Sequence, residues 1–453
     1  MSRSVLISLS LIAVAVICHA LGIYSGWWGI TKAESISFTI LAITAIFWIS
    51  ETVPLFVTSF LIIALQTVWL LPAINEGGKD ISGQMFLTPF FSDIILLFLG
   101  GFVLSAMLHK FNLDQRIAKW ILARSGGEPS ILLLSVIVIS SFFSAWMSNT
   151  ATAAMMFAII LPILNDLPKG SVFPVALSLS IPFACNLGGL ATPIGTPPNA
   201  IALSYLAKQG VEISFAFWMV LAIPLVLLLM FLLWRALMWL FPPEGEKLSL
   251  SAIDVERLSP KHYSVIAIFS ITCLGWLTTD LHGLSTGMVG IFPVIATFGF
   301  RLLNTRDFRT LSWDVLIMLG GGLSLGVGLE QSGLVGEIIK VVPDSMPLWG
   351  LLAVIAFIAL LMSTFISNTA TANLLIPVAV SISSGSALHA LVVAMACSGA
   401  MALPVSSPPN AIAFGSGTIT SRQMFLAGGL ISLLTLAVLL LAGVFYWEML
   451  GIK

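Results

Sequence analysis

Charge is what this sequence has least of. Only 9% of its 453 residues are Asp, Glu, Lys or Arg, against about 25% in soluble domains. With 58% hydrophobic residues and a mean hydropathy of +1.07, the chain cannot cover itself with a hydrated surface, so lipid must be its solvent. A formal net charge of −1 leaves no electrostatic case for nucleic acid. Cysteine is equally scarce. Cys18, Cys185, Cys273 and Cys397 lie apart in apolar runs without C-x-x-C spacing, which suits small buried hydrophobes rather than disulfides or a metal cage. The five histidines (His19, His109, His262, His282 and His389) are dispersed near the ends of apolar segments. Neither H-E-x-x-H nor a nucleophile with a base accompanies them, so the composition speaks against an intramembrane enzyme.

What is present is a succession of apolar runs. A crossing takes about 20 mostly apolar residues. The runs predict spans near 4–30, 36–52, 54–72, 88–109, 171–207, 214–241, 262–280, 284–301, 314–337, 387–416 and 424–448. Two further segments, 131–164 and 348–383, are each bent at a Ser-Asn-Thr and read as re-entrant hairpins. The fold class is therefore an all-α polytopic membrane protein with eleven transmembrane helices plus two hairpins. Arg3 before the first apolar run imitates a signal peptide, but the run is long for an h-region and a retained helix is expected. With the N-terminus inside, 13 of the 19 Lys and Arg residues fall in inner segments. That bias supports a cytoplasmic N-terminus and an outer C-terminus. Trp27, Trp28, Trp218, Trp276, Trp313 and Trp349 are expected mostly to mark interfacial belts.

Within this apolar chain one hexapeptide occurs twice. Ser148-Asn149-Thr150-Ala151-Thr152-Ala153 recurs as Ser367-Asn368-Thr369-Ala370-Thr371-Ala372. Each copy precedes a second signature, Gly195-Thr196-Pro197-Pro198-Asn199-Ala200 in one half and Ser406-Ser407-Pro408-Pro409-Asn410-Ala411 in the other. Asp93 before Gly100-Gly101 matches Asp314 before Gly321-Gly322, and Ser144 precedes Ser148 as Ser363 precedes Ser367. The divisions are an N-terminal helix at 1–35, a first repeat at 36–241, a cytoplasmic linker at 242–261 and a second repeat at 262–448. One repeat begins outside and the other inside, so the two are inverted. Helix-breaking residues at matching places in two hydrophobic halves point to a transporter's binding site.

The residue types fit that purpose. An irregular turn in the membrane must be buried in protein or line a wet cavity. Ser, Asn and Thr supply short donors and acceptors and can cap the helix that follows. The start of that helix carries partial positive charge and free N–H groups suited to an anion, while hydroxyl, amide and carbonyl oxygens suit Na⁺. Asp93 and Asp314 are read as caps or scaffold contacts, Glu51 as interfacial, and the Gly pairs as sites of close helix packing.

On these paired motifs the chain resembles the divalent anion/sodium symporter family, which includes di- and tricarboxylate and sulfate carriers. The resemblance spans essentially the whole chain. It implies a homodimer in the cell membrane, with a scaffold formed by spans 1–4 and 7–9. A transport domain of both hairpins with spans 5, 6, 10 and 11 would slide as an elevator. It implies one Na⁺ at Ser144, Ser148, Asn149 and the Gly195 carbonyl, and another at Ser363, Ser367, Asn368 and the Ser406 carbonyl. Substrate carboxylates would meet Asn149, Thr150 and Thr196 from one half and Asn368, Thr369 and Ser407 from the other. The expected activity is sodium-coupled symport of C4-dicarboxylates such as succinate, fumarate or malate. Sulfate or citrate symport, or sodium-independent exchange, remain alternatives within the family; a channel is a remote one, since inverted repeats with broken helices favour alternating access.

Overall fold

The computed structural model describes residues 3–165, 167–168, 170–243, 258–340, 347–382 and 386–452, so most of the expected linker at 242–261 lies outside the described residues. The regular elements among them are all helical. The first half runs through α1 (Arg3–Ala20), α2 (Lys32–Ser50), α3 (Leu55–Glu76) and α4 (Asp93–Lys110). A pair follows, α5 (Pro129–Trp146) and α6 (Asn149–Asn165), then a broken helix, α7 (Phe173–Gly188) and α8 (Pro197–Lys208), then α9 (Phe215–Leu240). The second half repeats this order. It has α10 (Pro260–Leu277), α11 (Thr286–Gly299) and α12 (Trp313–Ser332), then the pair α13 (Leu348–Phe365) and α14 (Asn368–Ile382). The broken helix α15 (Ala387–Ser398) and α16 (Pro408–Gly415) precedes α17 (Ser421–Met449).

Nine helices among the described residues are long and apolar enough to cross a membrane. Two of them, α5 and α13, are first arms of the expected hairpins. The segment expected at 4–30 is shorter, because Gly22 takes a left-handed conformation (φ 66°) after Ala20 and splits off Ile23–Trp28. The segment expected at 314–337 likewise ends at Ser332, where Gly333 has φ 88°. At 387–416, α15 has 12 residues. At 1.5 Å per residue it rises roughly 18 Å, too little for a hydrocarbon core of about 30 Å without α16.

Close packing explains the paired glycines. A Cβ on Gly100 of α4 would lie 2.5 Å from the Gly290 carbonyl oxygen of α11. A Cβ on Gly321 of α12 would lie 2.3 Å from the Ser59 Cβ of α3. Only hydrogen in place of a side chain lets these backbones approach so closely. At the end of the α4–α11 pair, Asp93 accepts hydrogen bonds from Thr286 Oγ1 and Gly287 N, both at 3.0 Å, and from Ser285 Oγ. Its carboxylate thus caps α11, the scaffold role expected of it.

The halves interleave around their broken helices. α8 packs on α14 and α15, and α16 packs on α6 and α7. α12 packs against the first of these groups: Tyr205 of α8 donates to the Gly322 carbonyl at 3.5 Å, and Asn373 of α14 lies against Gly322. Trp218 and Trp276 correct the belt reading. Both are fully buried, their indole N–H groups donating to Leu190 O (3.0 Å) and Thr286 O (2.9 Å). A satisfied indole can enter a core, where its large apolar body is worth more than at an interface. Trp349, by contrast, is 56% exposed.

Candidate functional site

The pairs α5–α6 and α13–α14 each turn where helix geometry fails for two residues. Met147 and Ile366 are extended, and the carbonyls of Ser148 and Ser367 accept the first helical bonds from Thr152 N (3.0 Å) and Thr371 N (2.9 Å). The first-turn N–H groups of α6 and α14 therefore have no partner within their own helices. In the broken helices, Thr196 and Ser407 are extended and Pro197-Pro198 and Pro408-Pro409 open the next segment. Proline suits a first turn and forbids continuation from the helix before it.

These four breaks meet. One cavity of about 630 Å³ is lined by Ser148, Asn149, Thr150, Gly195 and Thr196 from the first half. Ser367, Asn368, Thr369, Ser406 and Ser407 line it from the second. Ten of the twelve residues singled out from the sequence thus share one space. The other two, Ser144 and Ser363, are fully buried behind it. The helices α6, α8, α14 and α16 all begin here, and among the described residues no Lys or Arg lines the cavity. The helix starts contribute partial positive charge. Glu51, with φ 45°, and Asp314 also line it.

Beneath each hairpin tip, oxygens converge. Ser144 Oγ lies 2.5 Å from Asn149 Oδ1 and donates to Cys185 O at 2.8 Å. The Asn149 amide oxygen and the Gly195 carbonyl oxygen both lie 3.0 Å from the point where a Gly189 side chain would begin. In the second half Ser363 Oγ donates to Cys397 O at 2.7 Å, and the Asn368 amide lies 2.7 Å from Ser363 Oγ. With its nitrogen turned toward this cluster, the Asn368 amide donates to Ser406 O (3.0 Å) and Cys397 O (3.2 Å). With its oxygen there, it joins the Cys397 and Ser406 carbonyls and the Ser363 hydroxyl in an all-oxygen set of the kind a hard cation requires.

The sequence reading missed Cys185 and Cys397, whose carbonyls complete these clusters, and Asn186 and Ser398 beside them. Asn186 Nδ2 donates to Ser407 Oγ at 3.1 Å, while Thr196 Oγ1 lies 3.3 Å from Ser398 Oγ. Each broken helix is thereby tied to the other at its break. Asn186 also lines the cavity, and its Oδ1 is buried without a partner. A signal existed: Ala184-Cys185-Asn186 and Ala396-Cys397-Ser398 repeat Ala-Cys-polar ahead of the two prolines. Asn199 and Asn410, prominent in the motifs, staple the loops instead. Asn199 Nδ2 donates to Gly189 O (3.0 Å) and Thr192 O (2.9 Å), and Asn410 Nδ2 donates to Met401 O and Leu403 O, both at 3.0 Å.

The chain is similar to known transporters. Residues 45–398 match the family model described as citrate transporter. The chain is 32% identical over 448 residues to the sodium-dependent dicarboxylate transporter SdcS of Staphylococcus saprophyticus, covering 89% of this chain and 84% of that one. It is 34% identical over 454 residues to SdcS of Staphylococcus aureus, covering 90% and 85%. Among solved structures, the Alcanivorax borkumensis YdaH transporter superposes with a TM-score of 0.60 at 14% identity, covering 88% of this chain and 99% of that one. That similarity concerns the fold alone.

Proposed function

Because the chain belongs to the citrate transporter family, among the divalent anion/sodium symporters, we propose that it carries small dicarboxylates across the membrane together with Na⁺. One observation carries this reading: both hairpin tips and both Pro-Pro-Asn breaks open onto a single cavity lined, among the described residues, by no Lys or Arg. Four helix N-termini supply about half an elementary charge each, roughly enough for the dianion alone. The carboxylates of Glu51 and Asp314 in the same lining leave a deficit, which co-bound sodium fills.

In this reading one Na⁺ rests among Ser144, Ser148, Asn149 and the Gly195 carbonyl, and a second among Ser363, Ser367, Asn368 and the Ser406 carbonyl. The carbonyls of Cys185 and Cys397 lie within the same oxygen clusters. The two substrate carboxylates meet Asn149, Thr150 and Thr196 on one side and Asn368, Thr369 and Ser407 on the other. Each Asn then faces both ion and substrate, so sodium binding fixes its amide and prepares the anion site. The two halves act as inverted repeats. The hairpins and broken helices move as an elevator against a scaffold containing α3, α4, α11 and α12, in a homodimer with the N-terminus inside. A C4-dicarboxylate such as succinate is the favoured cargo; membership of the citrate transporter family favours testing citrate as well.

The test is uptake of labelled succinate into proteoliposomes under an inward Na⁺ gradient. Replacing Na⁺ by K⁺ or choline is expected to collapse uptake, and full uptake without Na⁺ would overturn the coupling. Competition by fumarate, citrate and sulfate then ranks the substrates, and failure of succinate to compete would overturn the dicarboxylate assignment.

A further inference from the structure

A second cavity, of about 510 Å³, lies between α8 and the scaffold, and it differs from the first in charge. Ser204 and Lys208 line it from α8, and Ser82, Thr88 and Ser92 from the chain that leads into α4. Lys208 is its sole basic residue, and no acidic residue lines it. The Ser92 hydroxyl oxygen is buried and has no hydrogen-bond partner. One ammonium and four hydroxyls make a donor set for a small carboxylate. Among the described residues no carboxylate lies within 4.0 Å of Lys208; its ammonium stands over the Tyr205 ring, 5.1 Å from the centroid. Glu330 is the nearest opposing charge acting on it.

The position of this cavity gives it meaning. α8 begins at the first cavity, with Thr196 and Pro197 in its lining, and ends at Lys208. Eleven residues of helix separate Pro197 from Lys208, a rise of roughly 17 Å. The two cavities also border successive stretches of α12: Asp314 and Met318 line the first, Leu323 and Val327 the second. For a dianion the Glu51 and Asp314 carboxylates in the first lining are repulsive, whereas Lys208 in the second is attractive.

Resting on the transport reading above, we propose that the Lys208 cavity is a staging vestibule for small dicarboxylates. It concentrates the dianion on one membrane face before the anion reaches the neutral site. Lys208 is a recruiting residue and does not touch substrate in its final site.

The test compares wild type with K208R, K208Q and K208E in right-side-out and inside-out vesicles, using labelled succinate at fixed Na⁺. K208Q is expected to raise KM about three- to tenfold for succinate presented on one face only, with kcat unchanged, and K208E to raise it further. K208R should stay near wild type, which separates charge from packing. Added choline chloride should narrow the gap, because an exposed charge is screened over about 10 Å at 0.1 M salt. An unchanged KM in K208E, or an equal rise from both faces, would overturn the vestibule while leaving the transport reading intact. Absence of sodium-dependent succinate uptake in wild type would remove both.

Discussion

Between α7 and α8 the chain passes through residues 189–196, with a 3-10 turn at Gly189–Ala191 directly after the helix. Between α15 and α16 it passes through 399–407, one residue more, and its 3-10 turn comes late, at Pro404–Ser406. The shorter loop folds onto itself so closely that a Cβ on Gly195 would lie 2.4 Å from the Gly189 carbonyl oxygen. The longer loop leaves room for Ser406, whose hydroxyl donates to Leu403 O at 2.6 Å and accepts from Asn410 Nδ2 at 3.1 Å. Both loops nevertheless bring a backbone carbonyl to the oxygen cluster under a hairpin tip. A repeated site therefore conserves the position of oxygens, while the turn that delivers them is free to differ.

The largest expected effects test whether the two clusters are equivalent. Asn149→Ala and Asn368→Ala should each abolish sodium-dependent uptake in proteoliposomes while leaving expression and purified yield intact. Wild-type uptake in both would remove the shared site. Next come the loops, where the halves should diverge. Gly195→Ala forces a carbon against backbone and should cost roughly 1–3 kcal/mol with most of the uptake. Ser406→Ala loses two neutral hydrogen bonds, roughly 1 kcal/mol each, a comparable loss of stability, but should retain transport; an equal loss of uptake would contradict the comparison.

Ser144→Ala and Ser363→Ala remove one oxygen from each cluster and should raise the Na⁺ concentration for half-maximal uptake several-fold, with a smaller change in maximal rate. An unaltered sodium dependence in either variant would exclude that serine as an ion ligand. The smallest effect concerns the scaffold. Asp93 holds three donors of α11, whereas Asp314 makes no such bond among the described residues and borders the cavity. Asp93→Ala should lose roughly 1 kcal/mol of stability through the lost cap, and Asp314→Ala little, as read by thermal unfolding in detergent.

Much of this was legible before any fold was known, because membrane chains write their constraints in composition. The apolar runs announce helices, since no other open structure satisfies its backbone in lipid. The duplicated Ser-Asn-Thr and Pro-Pro-Asn mark breaks because proline and short polar residues have few other uses there. The residues behind the site were less legible. Cys185 and Cys397 act through backbone carbonyls, and a carbonyl carries no residue signature. Asn199 and Asn410 belong to the motifs, yet their amides are spent on their own loops. Trp218 and Trp276 looked interfacial because burial of an indole depends on a carbonyl outside its own helix.

By itself the sequence determined the solvent of this protein, its helical class, the twofold repetition of its halves and the neutral character of its binding residues. Those follow from side-chain chemistry, which local sequence states directly. Only the tertiary structure decided that four helix starts share one cavity, that two cysteine carbonyls join the oxygen clusters, and that the chemically matched Asp93 and Asp314 differ in role. These depend on contacts between segments from 34 to 221 residues apart, where packing and backbone direction, rather than residue identity, set the geometry.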